Sequence, residues 1–211
     1  DLHSTSRRQR QMCIRDRRIT LEQKVYGMIG NGDKQDFYIF DMPFSGNLVV
    51  SHTNYIENGY AGYEILNSEG NSIRYFETNY DNNKGYAYDK DFVTLDKGRY
   101  YIKVCGNKNG PYHFVMSVKP EAGGIESVTR MKTKATVRLE KSDEATGYIL
   151  QYSTSDKFGK KSTKSKIIKG TTVKLKGLNK NKKYYLRVKR YKKCNGKTYY
   201  SDYGNVYTVW P

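Results

Sequence analysis

Between residues 24 and 118 the chain is cut into short apolar runs, about ten residues apart, each closed by turn-forming residues. The runs are KVYGMIG, DFYIFDM, GNLVVSH, GYEILNS, SIRYFET, GYAYDKDFVTL, GRYYIKVCG and PYHFVMSV. Between them lie NGD, PFSG, ENGYAG, SEGN, DNNKG, DKG and NKNG, where Gly and Asn reach positive φ and Asp closes local side-chain turns. Eight strands at this spacing predict an antiparallel sandwich or jelly roll. The 21 Tyr and 19 Gly agree with β structure, and no run of 18 apolar residues is present to span a membrane as a helix.

At PEAGGI, residues 120–125, a Pro/Gly linker is expected, and the composition turns Lys-rich beyond it. The following units, SVTRMKTKATVRLEKS, TGYILQYSTS, KSKIIKG, TTVKLKGL, KKYYLRVKRYKK and GKTYYSDYGNVYTVW, predict about seven strands, the size of an immunoglobulin-like sandwich. The expected fold class is therefore all-β: two tandem β-sandwich domains, jelly-roll-like over 19–119 and fibronectin- or immunoglobulin-like over 126–211.

Charge follows the same division. The net +17 separates into +4 over residues 1–18 (six basic, two acidic), −2 over 19–119 (ten and twelve) and +15 over 120–211 (twenty-two and seven). The first eighteen residues, DLHSTSRRQRQMCIRDRR, have neither apolar periodicity nor the layout of a signal peptide and read as a disordered leader. Their QMCIRDR resembles a peptide that recurs at the ends of unrelated metagenome-derived reading frames through translation of adapter DNA. The chain does not begin with Met, and a fragment of a longer protein with upstream domains is expected.

GMIGNGDKQDFYIFDM, LDKGRYYIKV and YHFVMSV resemble the bacterial pre-peptidase C-terminal domain, a jelly-roll module of secreted peptidases and related surface proteins, over about residues 19–119. The positions carrying the resemblance are Gly27, Asp36, Tyr38, Phe40, Leu95, Gly98, Tyr100, Tyr101, Tyr112 and Phe114. Tyr38 and Phe40 alternate onto a core face, Asp36 sits at the strand entry, Ile102 and Val104 face inward, and Gly98 is expected to need an unusual φ.

Residues 124–211 resemble a Lys-rich bacterial fibronectin type III domain through Tyr148, Leu150 and Tyr152, through Val173, Leu175 and Leu178, and through Tyr184, Leu186 and Val188. The resemblance makes Tyr184 the corner tyrosine that ties the preceding turn to the sheet. Leu139 stands where such domains usually carry Trp, and Arg190 is expected to run its stem along apolar surface to water.

The run KKYYLRVKRYKKCNGKTYYSDYG interleaves rings and charges. Alternation puts Tyr184, Leu186 and Val188 on one face and Tyr185, Arg187 and Lys189 on the other, so not all rings share the basic face, and Asn195-Gly196 forms the hairpin turn. Candidate contacts for an anionic polymer are Lys160, Lys161, Lys182, Lys183, Arg187 and Lys189. A second candidate surface is a carbohydrate or collagen platform of Tyr55, Tyr60, Tyr63, Tyr86 and Tyr88. Nucleic acid is the weaker partner expectation, behind glycan, matrix protein and teichoic acid.

No zinc spacing, Ser elbow or Cys-His pairing accompanies His52 or His113, and a lone His on a strand reads as a packing or surface residue, so no enzyme is expected. Calcium is the one cofactor considered, with Asp33 and Asp36 as ligands. Cys105 and Cys194 fall in different domains and are expected as thiols. Together these observations predict non-catalytic accessory or spacer modules, extracellular or on a bacterial cell surface, belonging to a protein such as a secreted hydrolase.

Overall fold

The computed structural model of the chain describes residues 17–30, 32 and 34–210. Among them every regular element is a strand, and no helix is long and apolar enough to cross a membrane. The chain separates into two compact units between Val118 and Lys119.

The first unit is built from β1 (Arg17–Arg18), β2 (Lys24–Ile29), β3 (Gln35–Met42), β4 (Gly46–Asn54), β5 (Tyr60–Leu66), β6 (Ser72–Asn79), β7 (Ala87–Leu95), β8 (Gly98–Gly106) and β9 (Gly110–Lys119). They form two sheets, β1-β3-β8-β5-β6 and β2-β9-β4-β7. Alternation sends Tyr38, Phe40, Leu48, Val50, Tyr63, Ile102, Val104 and Phe114 into the core, each at most 1% exposed.

The scattered motif residues converge in that core. Tyr112 lies opposite Gly27 in the β2–β9 register, and a Cβ on Gly27 would stand 2.2 Å from the ring's Cζ. Only glycine leaves room for the ring. Tyr112 Oη donates to Asp36 Oδ2 at 2.6 Å, and the Tyr38 hydroxyl therefore donates to Tyr112 Oη at 2.8 Å. Phe114 meets Tyr38 edge-on at 5.3 Å. Burial, followed by the bond to Asp36, pushes the Tyr112 phenol far above its usual range, so it remains a donor.

Two expectations change here. Residues 1–16 of the expected leader lie outside the described residues, but Arg17–Arg18 pairs in parallel with β3, and Ile19 beside it is buried and donates its N–H to Ile39 O at 2.9 Å. The free edge of β3 supplies backbone partners that the sequence pattern did not reveal. Gly98 does not have positive φ, and a Cβ there would make an ordinary 3.7 Å contact with Tyr100. The turn before it is held instead by Lys97 N–H to Ser45 Oγ at 3.1 Å and Tyr100 Oη to Asp96 O at 3.1 Å.

The second unit comprises β10 (Ile125–Met131), β11 (Lys134–Leu139), β12 (Gly147–Ser153), β13 (Thr163–Ile168), β14 (Thr172–Lys176), β15 (Tyr184–Cys194), β16 (Lys197–Tyr200) and β17 (Tyr207–Val209). One sheet is β10-β11-β14; the other is β13-β12-β15-β16, with β17 also pairing β15. Val137, Leu139, Tyr148, Leu150, Leu175, Leu186 and Val188 form its core. The expected linker ends early, because Ile125 already opens β10 and Gly124 O accepts the N–H of Glu140 at 3.0 Å. Asn195 (φ 49°) and Gly196 (φ 75°) make the hairpin turn.

Tyr184 Oη accepts the Asn179 N–H at 3.1 Å. Arg130 lies 5.5 Å over the Tyr184 ring and donates to Asn179 O, Lys182 O and Trp210 O at 2.7, 2.9 and 3.1 Å. Arg190 departs from expectation: it is 7% exposed, with Glu121 and Glu140 each 3.8 Å from its guanidinium. Two glutamates come to the arginine, and its head group does not reach open water.

Candidate functional site

The outer face of β2-β9-β4-β7 is where the first unit's exposed rings gather. Val25 and Ile29 turn inward, which leaves Tyr26 and Met28 on the outside of β2. The register sets Tyr26 opposite His113, with ring centroids 5.5 Å apart. Tyr55, joined to β9 by its N–H to Pro111 O at 3.1 Å, lies 5.6 Å from His113 and 6.1 Å from Tyr86. Tyr26, His113, Tyr55 and Tyr86 thus form a continuous run of rings, and Tyr26, Tyr55 and Tyr86 are 66%, 40% and 42% exposed. Tyr88 and Phe92 extend the exposed aromatic surface along β7, opposite Thr53 and Val49. Burial and the charge of Lys24 hold His113 below the ordinary imidazole pKa, so its ring is neutral at pH 7.

Two of the five expected platform tyrosines are elsewhere. Tyr63 is 0% exposed, and Tyr60 lies half-buried on β5, in the other sheet, with its N–H on Asn107 Oδ1 at 2.9 Å. Tyr26 and His113 take their place. Two-sided apolarity in KVYGMIG, where Tyr26 and Met28 run out of phase with Val25 and Ile29, is the sequence signal for that face.

His52 is fully buried and bridges the two sheets of this unit. Its Nε2–H donates to Asp91 Oδ2 at 3.1 Å on β7, so Nδ1 accepts the Thr78 hydroxyl on β6. The ring packs 4.5 Å from Tyr63 and 5.3 Å from Phe76. A hydroxyl, an imidazole and a carboxylate stand in line as in a nucleophilic relay, but Thr78 is 6% exposed and its hydroxyl points at His52 inside the core. Burial lowers the His52 pKa despite the opposing pull of Asp91 and Asp89. The cluster is a structural bridge.

In the second unit, β15 sets cations among rings on its outer face. The Arg187 guanidinium lies 4.0 Å from the Phe158 centroid and 4.2 Å from Tyr203, and its Nε and Nη2 donate to Gln151 Oε1 at 2.9 and 2.8 Å. Lys189 Nζ lies 4.8 Å from Tyr200 and 5.1 Å from Tyr203, and Lys183 Nζ 4.8 Å from Tyr185 and 4.5 Å from Trp210. More rings share the basic face than alternation along the single strand suggests, because Phe158, Tyr200, Tyr203 and Trp210 arrive from other segments. Their effect is to hold the cations: Arg187 lies against two rings and is bonded to Gln151 as well. Lys160 and Lys161 sit exposed in the β12–β13 connection, and Lys182 is exposed before β15.

Asp33 lies outside the described residues, and Asp36 accepts the Tyr112 hydroxyl. Among the described residues no group of three or more His, Cys, Asp or Glu side chains is placed to hold a metal ion.

No protein-family model matches this chain, and no curated protein matches it. Among solved structures, the pre-peptidase C-terminal domain of a collagenase from Bacillus anthracis aligns at 22% identity with a TM-score of 0.39, covering 48% of this chain and 94% of that one. A computationally redesigned β-sandwich protein aligns at 18% identity with a TM-score of 0.32, covering 41% and 85%. Each is a likeness of part of this chain, and neither assigns it an activity.

Proposed function

We propose that this chain is a pair of non-catalytic binding modules of a secreted or cell-surface bacterial protein, and that the outer face of β2-β9-β4-β7 holds a glycan. The run of rings Tyr26, His113, Tyr55 and Tyr86 carries the reading. Exposed rings on a sheet face stack on the C–H faces of sugars without needing a deep pocket, and a neutral His113 adds no charge of its own beside the Lys24 ammonium, which lies 5.1 Å over the Tyr26 ring. At about 0.5–1.5 kcal/mol per stacked ring, three rings give roughly 1.5–4.5 kcal/mol, a millimolar or weaker contact suited to a multivalent polymer.

The accessory role draws support from the motif resemblance of the first unit. For the second unit, a fibronectin type III reading draws support from the division of its antiparallel strands into a three-strand and a five-strand sheet and from the Tyr184 bond to Asn179. In that reading it spaces the first unit from other parts of a longer protein.

Affinity electrophoresis of the chain through a panel of neutral polysaccharides tests the glycan face. Retardation that is insensitive to salt and lost in Tyr26→Ala/Tyr55→Ala/Tyr86→Ala is expected. Retardation unchanged in that variant, or binding to fibrillar collagen with no polysaccharide retained, overturns it.

A further inference from the structure

The three-stranded sheet of the second unit has its own outer face. Ala135, Val137 and Leu175 point into the core, so their neighbours point out. The register lays Met131, Lys134 and Lys176 in one row across β10, β11 and β14, and Thr129, Thr136 and Lys174 in the next. With the turn residue Lys132 they line an open trough of about 770 Å³. Its lining includes four lysines and three threonines, and no carboxylate.

That arrangement costs the free protein something. Lys134 and Lys176 are directly opposite each other, with Lys174 two residues along the same face, and like charges so placed repel. Five of the unit's seven carboxylates are engaged elsewhere, Glu121 and Glu140 at Arg190, Asp143 at Lys141, Glu144 at Lys192 and Asp202 at Lys119, and neither Glu126, exposed farther along β10, nor Asp156 is among the trough's lining residues. Unlike Arg187 and Lys189 on β15, these lysines have no ring among the trough residues.

The lining also bears on the chemistry of an anion. Lysine presents a compact charge with three rotatable donors, a point-charge contact that phosphate and sulfate oxygens meet from any direction without the planar pairing an arginine fork imposes. Threonine hydroxyls add neutral donors. An open trough leaves a single small anion hydrated, but a chain of repeated charges engages several lysines at once and gains from counterion release. Nucleobases would find no aromatic surface on which to stack.

We propose that the outer face of β10-β11-β14 binds a linear polymer of phosphate or sulfate esters, held by Lys134, Lys174 and Lys176 with Thr129 and Thr136 as further donors. The site stands apart from the glycan reading, which survives if this one fails.

The test uses the full chain and three probes matched in charge: poly(glycerol phosphate), dextran sulfate and a single-stranded oligonucleotide. Lys134→Gln/Lys174→Gln/Lys176→Gln is compared with Lys157→Gln/Lys169→Gln/Lys180→Gln, which removes the same charge from exposed positions elsewhere. The trough variant is expected to bind an ester polymer at least about tenfold more weakly and to lower the log–log salt slope by two to three, while the second variant changes binding less than about threefold. Whichever ester polymer binds more tightly identifies the ester. Equal weakening in both variants, no binding of either ester polymer, or tighter binding of the oligonucleotide overturns the proposal. Trp210 fluorescence during denaturation establishes that both variants are folded. Relief of the Lys134–Lys176 opposition should leave the trough variant at least as stable as the parent, and a large loss of stability would instead give these lysines a structural role.

Discussion

Gly27→Ala is the sharpest test of the first unit's architecture. The added Cβ would stand 2.2 Å from both Cζ and Oη of Tyr112, against an optimum of about 3.5–4.0 Å between carbons. Tyr112 cannot yield cheaply, because its ring is 1% exposed and its hydroxyl is bonded to Asp36 and Tyr38 at 2.6 and 2.8 Å. Overpacking costs about 1–3 kcal/mol, and loss of the hydrogen bond to the carboxylate about 1.5–3 kcal/mol, so a destabilisation of roughly 3–5 kcal/mol is expected. For a unit of this size that lowers the melting temperature on the order of 20 °C. The chain's single Trp, Trp210, lies in the second unit, so its fluorescence should unfold at the parental midpoint while tyrosine near-UV dichroism reports the early loss of the first. Gly62→Ala is the control. Its Cβ would meet the Tyr75 hydroxyl at 2.4 Å, but Tyr75 is 44% exposed and can swing into water, so a cost below about 1 kcal/mol is expected. Equal costs for the two substitutions, or a Gly27→Ala cost under about 1 kcal/mol, would refute the argument.

Three further outcomes follow from the same geometry. Burial holds the His52 pKa below its ordinary 6.5, so as pH falls through 6.5 the unfolded chain takes up a proton that the folded ring resists. Stability of the first unit should therefore decline on acidification, by at most about 1.4 kcal/mol per pH unit from this group; urea midpoints against pH should show a shallower decline for His52→Gln. The Tyr63 hydroxyl is buried without a hydrogen-bond partner among the described residues, and Tyr63→Phe should raise the first unit's midpoint by about 1 kcal/mol. Tyr184→Phe removes the acceptor for Asn179 N–H and should lower the Trp210-monitored midpoint by about 1 kcal/mol, with no effect on the first unit.

Much of the strand order was legible because turns and alternation are local. Each of the eight apolar runs of the first unit contains most of one strand from β2 to β9, and Asn195-Gly196 announced its hairpin. Some misplacements were also readable: Tyr63 shares parity with Ile65 on β5 and so belongs inside with it. The exposed face was not readable in the same way, since alternation says which residues share a side but not which side another sheet will cover. Tyr55, Tyr86 and His113 meet only after β9 is laid between β2 and β4. Arg187 looked like a free contact for a polyanion until the fold brought Phe158 and Tyr203 against its guanidinium.

By itself, then, the sequence determined the all-β class, most strand positions, the hairpin turn and the concentration of charge in the last ninety-odd residues, because each depends on neighbours a few positions apart. Tertiary structure decided why Gly27 must be glycine and that His52 is a buried bridge. It also decided which tyrosines reach water and that Lys134 faces Lys176. Each of these depends on strand register and sheet packing between residues far apart in the chain, which no local period encodes.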